Sequence, residues 1–403
     1  MWEQIRANRT RSIILVTVMA VMLLAIGYFL GFYIFENGLA GLFIALVIWF
    51  IMTLIAFYSG DNILLSLARA KKIGPNDYPR LYNVVEEMKI ASGLEKMPDV
   101  YIIDDKAMNA FATGRDPSKA SVAITTGLLE KLNRDELQGV IGHELAHIKN
   151  RDVLLMAITA VMLGTIVILA WYVSRLLIFG SMGRSRSSAR GGGGQAQLII
   201  LIVGIVFMIL APILAQLIYY AISRKREYLA DASSALYTRY PEGLASALEK
   251  ISGSTVELKT ANKATAPMYI INPFRTKGMS LSNATSTHPP VAERIRILRS
   301  MAGGASFAEY DRAYRQVHPG GRSVISQATQ YTAGAVGLRE ASPEEKKSTR
   351  EEISRKREVE DVMLKLNDYR IVQCSCGTRW KIPPNFPDPE VLCTKCGGRV
   401  KVR

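Results

Sequence analysis

Apolar and polar positions divide this chain sharply. Residues Ile13 to Phe35 and Leu39 to Tyr58 form two apolar runs without a Lys or Arg. Each is long enough to cross a hydrocarbon core of about 30 Å, which takes roughly 20 helical residues. Only Glu36-Asn37-Gly38 separates them, so a helical hairpin is expected. The first run is too long for the apolar stretch of a cleaved signal peptide, and a second span follows directly. Arg6, Arg9 and Arg11 precede the hairpin, and Arg69, Lys71 and Lys72 follow it. Positive charge on both flanks predicts that both ends lie in the cytoplasm. Two further runs, Val153 to Phe179 and Leu198 to Ile222, are also long enough to span. The Gly- and Ser-rich stretch between them carries Arg184, Arg186 and Arg190, which opposes the charge rule if that loop lies outside. The alternative is that these two helices pack on the protein or lie shallowly in the bilayer.

The rest of the chain reads as mixed α and β. Asp99 to Ile103 and Ser121 to Thr125 are short and rich in β-branched residues, as strands are. Asn133-Arg-Asp-Glu136 fits a capping box and predicts a helix that runs on through His147. From about Pro319 to Ser342 the chain turns Gly-, Ser- and Thr-rich, as a linker does. Pro343 to Leu366 is dense in alternating charge and predicts a solvated helix.

Composition changes this picture in two respects. Among 403 residues, 50 Lys and Arg stand against 35 Asp and Glu, a formal charge of +15. That excess suits nucleic acid or an anionic cytoplasmic leaflet. No basic patch is interleaved with aromatics, so the membrane is the expected partner and no nucleic acid is. The four cysteines, Cys374, Cys376, Cys393 and Cys396, crowd the C-terminus. A disulfide framework spreads its cysteines, so the cluster points to a metal in a reducing compartment.

His143-Glu144-Leu145-Ala146-His147 carries the chemistry. Positions four apart on a helix differ by about 40°, so both imidazoles leave one face and can share one Zn²⁺. Glu144 stands one step round, beside the metal, where it can take a proton from the attacking water and later pass it to the leaving amine. A third protein ligand is needed. A His six residues after the second, preceded by a Gly, is excluded because Val153 and Asn150 occupy those places. Arg226-Glu227-Tyr228-Leu229-Ala230-Asp231 offers a carboxylate instead. Glu227 is assigned to the metal, and Asp231, one turn on, to the free N–H of a ligating His. A surface ion pair with Arg224 or Lys225 is the bland alternative for Glu227.

With His143 to His147, Glu227 to Asp231 and the apolar hairpins, the chain resembles the HtpX-type membrane metallopeptidases, relatives of the CAAX prenyl endopeptidases. The resemblance covers roughly Ile13 to Arg299. It implies a gluzincin fold, a zinc ion, and cleavage of membrane or misfolded proteins in quality control. It also implies that Asn109-Ala110-Phe111-Ala112 borders the cleft as an edge strand pairing with extended substrate. His288 and Arg294 match a late His and an Arg six positions on, both near the oxyanion, where each could donate a hydrogen bond. His318, at the edge of the linker, is expected to do nothing catalytic.

Cys374-Ser-Cys376-Gly and Cys393-Thr-Lys-Cys396-Gly, with sixteen residues between, form two knuckles and predict a Cys₄ structural zinc ribbon. Its core is too small to fold without metal. The ribbon is not part of the family's core pattern, and its partner is unknown.

The expected fold is therefore a mainly α membrane protein with a small α+β gluzincin domain and a C-terminal ribbon. The expected units are a transmembrane hairpin (1–68), a peptidase domain (69–318) interrupted by the second hairpin (153–222), a linker (319–342), a charged helix (343–368) and the ribbon (369–403). The expected activity is zinc endopeptidase, multi-pass, with N-terminus, active site and C-terminus cytoplasmic. Two rivals stand beside it: a processing protease for prenylated peptides, and a non-catalytic membrane adaptor working through the ribbon.

Overall fold

The computed structural model describes residues 2–155, 157, 224–260, 266–273, 288–330, 334, 336–342 and 349–402. Two long helices open the chain, α1 (Trp2–Phe35) and α2 (Gly38–Leu67). Asn37 ends the turn between them, its side chain accepting from the Leu39 and Ala40 amides. The helices pack on glycine. A Cβ on Gly31 would lie 2.3 Å from the Gly41 Cα, so the two backbones touch. Small residues at the crossing are how helices associate where lipid offers no hydrophobic drive. Among the described residues, α2 is the helix long and apolar enough to cross a membrane; Val16–Ala25 of α1 is a shorter apolar stretch. Phe43 and Phe50 of α2 stand in the open, as lipid-facing side chains would. Apart from Val153–Leu155 and Ala157, the second apolar hairpin lies outside the described residues.

A four-stranded sheet follows: β1 (Ala70–Ile73), β2 (Asp99–Ile103), β3 (Ala110–Gly114) and β4 (Ala120–Thr125). Their order is β1-β2-β4-β3, with β2 and β4 parallel and β3 antiparallel on the edge. β3 and β4 are buried along their whole length, so they lack the alternation of a half-exposed strand. The helices α3 (Pro79–Ser92), α4 (Thr126–Lys131) and α5 (Arg134–Lys149) are wound with this sheet. The capping box forms as expected: Asn133 accepts from the Glu136 amide and Glu136 accepts from the Asn133 amide.

Helix α5 is flanked by α6 (Arg224–Thr238) and α7 (Pro241–Gly253), and α8 (Val291–Arg299) packs on both α6 and α7. Gly139 permits the close approach of α5 to α7, because a Cβ there would lie 2.6 Å from the Leu244 nitrogen. Ser234 of α6 donates to the Gly139 carbonyl at 2.7 Å. Helix α9 (Phe307–Val317) closes the bundle, and Phe307, Tyr310 and Ala313 join the main core.

The Gly-, Ser- and Thr-rich stretch expected as a linker is held at two places. Asp311 accepts from the Ser323 hydroxyl and from the Val324 and Ile325 amides, ahead of the short helix α10 (Gln327–Gln330). Farther on, Arg339 and Ser342 both bond Asp135 in the first turn of α5. The charged helix, α11 (Thr349–Lys365), is not solvated all round. Its Val359, Val362 and Met363 enter the main core, and Arg355 donates to the Leu132 carbonyl. Two hairpins finish the chain, β5 (Arg370–Gln373) with β6 (Arg379–Ile382), and β7 (Glu390–Leu392) with β8 (Arg399–Lys401).

Candidate active site and metal centre

Helix α5 delivers two imidazoles from one face, and α6 crosses it to bring a carboxylate. His143 Nε2 and His147 Nε2 are 3.2 Å apart. Glu227 Oε2 lies 3.6 Å from His143 Nε2, and Glu227 Oε1 lies 3.5 Å from His147 Nε2. All three residues are buried, and their donor atoms fall within 4.8 Å of one another. This is a two-His, one-carboxylate set, the protein ligand pattern of catalytic zinc, whose fourth position is kept for water or substrate. Glu144 is 1% exposed, and neither of its oxygens has a hydrogen-bond partner among the described residues. Burial raises its carboxyl above the ordinary Glu value.

Asp231 lies one turn beyond Glu227 and accepts from His143 Nδ1 at 2.9 Å. That fixes the tautomer, leaving Nε2 as the lone-pair side. Arg294 donates to the same carboxylate from two nitrogens, at 2.8 and 2.6 Å, and to the Ile270 carbonyl at 3.2 Å. His288 Nε2 is 3.8 Å from Glu227 Oε2. Burial pushes the Glu227 carboxyl up, but His288, His143, His147 and Arg294 around it outweigh that and hold it well below the ordinary Glu value. Burial pushes His143 down, but Asp231 and Glu227 outweigh it and hold the imidazole up at about 9. A pocket this rich in carboxylate draws a cation to its imidazoles, either a proton or a metal.

The buried charge supports a divalent ion. Glu144, Asp152, Glu227 and Asp231 surround the site against Arg226 and Arg294, all buried. Among the described residues, and with neutral histidines, that leaves two negative charges in excess, which a dication cancels.

The family description "Peptidase family M48" matches residues 75–302. This chain belongs to peptidase family M48. A protease HtpX homolog of Dictyoglomus thermophilum is 45% identical over 300 residues, covering 74% of this chain and 94% of that protein. One of Thermoanaerobacter pseudethanolicus is 42% identical over 301 residues, 75% of this chain and 98% of that protein. Among solved structures, the crystal structure of S. mikatae Ste24p matches with a TM-score of 0.39 at 18% identity, over 74% of this chain and 67% of that one. That likeness of shape is too partial to carry function. The chain is thus a metallopeptidase of a zinc-dependent family, and it carries the His143, His147 and Glu227 set such an enzyme needs.

Other expected residues of this M48 peptidase fall at different distances from the metal set. Edge strand β3 holds Ala110, Phe111 and Ala112 with Asn109 just before it. The Ala110 carbonyl accepts from the Ile270 amide, and the Asn109 side chain donates to the Ile271 carbonyl. The chain at 270–271 therefore crosses the start of this edge. Arg294 bonds Asp231 and Ile270 and also lies 3.6 Å from Glu227 Oε2, so it faces both the partner of His143 and the carboxylate of the metal set. His318 stacks on Tyr314 and pairs with Glu293, apart from the metal set.

Three residues escaped the sequence reading. Asp152 accepts from His147 Nδ1 at 3.0 Å, Arg226 approaches Asp152 at 3.3 Å, and the Tyr310 hydroxyl donates to Asp231 at 3.4 Å. Asp152 had a faint local signal, since it follows the end of the motif helix by only three residues. Tyr310 had none.

The cysteines also converge. Cys374 and Cys396 sulfurs are 3.4 Å apart, Cys376 and Cys393 3.5 Å, and all four lie within 4.8 Å. None is in a disulfide. Each hairpin turn closes alike: the Gly377 amide donates to the Cys374 carbonyl, and the Gly397 amide to the Cys393 carbonyl. Both glycines have positive φ, 85° and 71°, which a Cβ disfavours. Backbone amides of Cys396 and Lys395 pull the Cys393 thiol down to about 6; the Gly398 amide pulls Cys396 down as well, but Cys374, Cys376 and Cys393 outweigh it and push that thiol up to about 12.

Proposed function

We propose that this M48 peptidase is a membrane-anchored zinc endopeptidase that hydrolyses peptide bonds of membrane or misfolded proteins, with its active site on the cytoplasmic side. The carrying observation is that His143, His147 and Glu227 aim at one point while Glu144 stands buried beside them on the helix that carries both histidines. His143, His147 and Glu227 hold the zinc, which when bound supplies Lewis acidity to water and to the scissile carbonyl. Glu144 accepts a proton from the attacking water and returns it to the leaving amine. Its burial keeps its basicity high enough for that exchange. Asp231 holds His143 in the ligating tautomer, and Arg294 holds Asp231. His288 approaches Glu227 Oε2, the oxygen that also faces His143, and from there an N–H can meet the developing oxyanion. Extended substrate adds to the free side of β3 beyond Ala110.

Membrane anchorage rests on the α1–α2 hairpin. The basic flanks of that hairpin favour cytoplasmic placement of both ends. Cys374, Cys376, Cys393 and Cys396 hold a second, structural zinc. A processing protease for lipidated peptides keeps the same chemistry and differs only in substrate.

Glu144→Gln should abolish cleavage of an unfolded model substrate while leaving the zinc content unchanged. Cleavage at the wild-type rate by that variant would end the mechanistic reading. Equal turnover of plain and prenylated peptides supports the quality-control role; a strong preference for the prenylated form favours the processing role.

A further inference from the structure

We propose that Asp152 and Arg226 form a second positioning relay, which holds His147 to the metal as Asp231 and Arg294 hold His143. The inference rests on the reading of His143, His147 and Glu227 as a zinc site and goes beyond it.

The two relays share an order of parts, histidine, aspartate, arginine, but Arg294 hydrogen-bonds its aspartate and Arg226 meets Asp152 as an ion pair alone. Each ligating histidine turns Nε2 towards the metal point and Nδ1 towards a buried aspartate, at 2.9 Å for Asp231 and 3.0 Å for Asp152. Each aspartate in turn meets a buried arginine, at 2.6 Å for Arg294 and 3.3 Å for Arg226. Asp152 and Arg226 are 1% and 2% exposed, so water does not screen the pair. The chain goes to some length to put Asp152 there. Helix α5 ends at Lys149, Arg151 takes a positive φ of 57°, and the chain reverses so that Asp152 opens a new helix beneath the last turn of α5. A non-glycine residue in the left-handed region is costly enough to ask what it gains. Here it gains an acceptor for His147.

Arg226 immediately precedes Glu227 on α6. A single turn of α6 thus supplies both the third ligand and the cation that faces the partner of the second ligand. None of the three guanidinium nitrogens of Arg226 makes a hydrogen bond among the described residues, and its Nε stands 3.3 Å from Asp152 as an ion pair. The charge count argues the same way. Among the described residues, with both arginines present the buried excess equals the charge of one dication; without Arg226 it exceeds it by one.

The test uses the full-length protein, stripped of metal and titrated with zinc against a chromophoric chelator. The catalytic zinc is the one absent from His143→Ala. Asp152→Asn keeps shape and an acceptor oxygen but loses charge; Arg226→Met keeps length and loses charge. Each is expected to weaken the catalytic zinc by about 10–100-fold, and Arg226→Lys to recover most of the loss. The double variant, with no buried charge left unpaired, should fold as well as the parent and bind zinc as weakly as the worse single. Wild-type zinc affinity in both singles overturns the relay. So does its return in the double, which is the result for a merely structural ion pair. A wild-type protein that holds no zinc dependent on His143 overturns the metal reading and the relay with it.

Discussion

Asp231 shows how much of this site is spent on orientation. Its two oxygens collect His143 Nδ1, two nitrogens of Arg294 and the Tyr310 hydroxyl. Burial raises its carboxyl, but Arg294 and His143 outweigh that and hold it below the ordinary Asp value. It therefore stays an anion and an acceptor. The donors are unequal. Arg294 offers a planar fork that Lys cannot reproduce, so Arg294→Lys should cost far more than the charge-conserving label implies. Tyr310 contributes one longer hydrogen bond and lies beyond the family match, which ends at residue 302. Tyr310→Phe should cost about 1 kcal/mol of stability and lower kcat severalfold with KM unchanged, because the lost bond orients a ligand and touches no substrate. An unchanged kcat, measured on a folded variant, would reduce Tyr310 to core packing.

Helix α5 carries both the motif and a close backbone contact with α7, and the two make different demands. Its inner face must bring His143 and His147 to the metal, while Gly139 lets α7 approach. Gly139→Ala should destabilise by about 1–3 kcal/mol, since the new methyl meets backbone that no rotamer can move aside. Thermal melting reads this directly, and a neutral result would mean that α7 shifts easily. The same helix is clamped at its start, where Asp135 accepts from Arg339 and Ser342. Arg339 also donates to the Thr238 carbonyl at the end of α6, so one arginine ties together the two helices that carry the metal ligands. Burial raises the Asp135 carboxyl, but Ser342 and Arg339 outweigh it and hold it below 3.8. A carboxyl lowered by folding stabilises fully above its unfolded pKa, and that part is lost as pH falls through the folded value. Asp135→Asn should therefore be less stable than the parent near neutral pH, with the difference shrinking at acid pH. A constant difference across that range would assign the clamp to neutral hydrogen bonds. These contrasts explain what the sequence could disclose. The capping box, the strand at Asp99–Ile103 and the His-Glu-x-x-His spacing are local, and the structure keeps all of them. Arg226, Tyr310 and Arg339 act across folds of the chain that no local pattern encodes, and Asp152 had only its nearness to the end of the motif helix. In α11, charge density masked a short apolar face, Val359, Val362 and Met363, spaced as one helix stripe.

At the scale of the whole chain, the residues after 302 lie beyond the M48 match, and they are bound to the peptidase by three different means. Tyr310 reaches the active-site carboxylate, Arg339 clamps α5 to α6, and α11 completes the core. The ribbon is joined more lightly, through Arg379 with Asp361 and Lys381 with Glu360, both exposed pairs of the kind worth little. Removing the ribbon and removing the whole extension should therefore give different results. Truncation before residue 369 should take away one of two zincs and leave cleavage of a plain unfolded substrate near the parent level. Truncation at residue 302 should do much more. It uncovers the surface that Val359, Val362 and Met363 occupy, and burial of such side chains is worth roughly 1.5–3 kcal/mol each, an upper estimate. Three of them amount to a large part of the roughly 5–15 kcal/mol that holds a domain folded. It also strips the clamp and one donor to Asp231. The shorter protein should melt early and lose its catalytic zinc to a chelator more readily than the ribbonless one. If the two truncations matched in melting temperature and zinc retention, residues 303–368 would be a passenger, and the contacts of Tyr310, Arg339 and α11 would carry no energy that the peptidase uses.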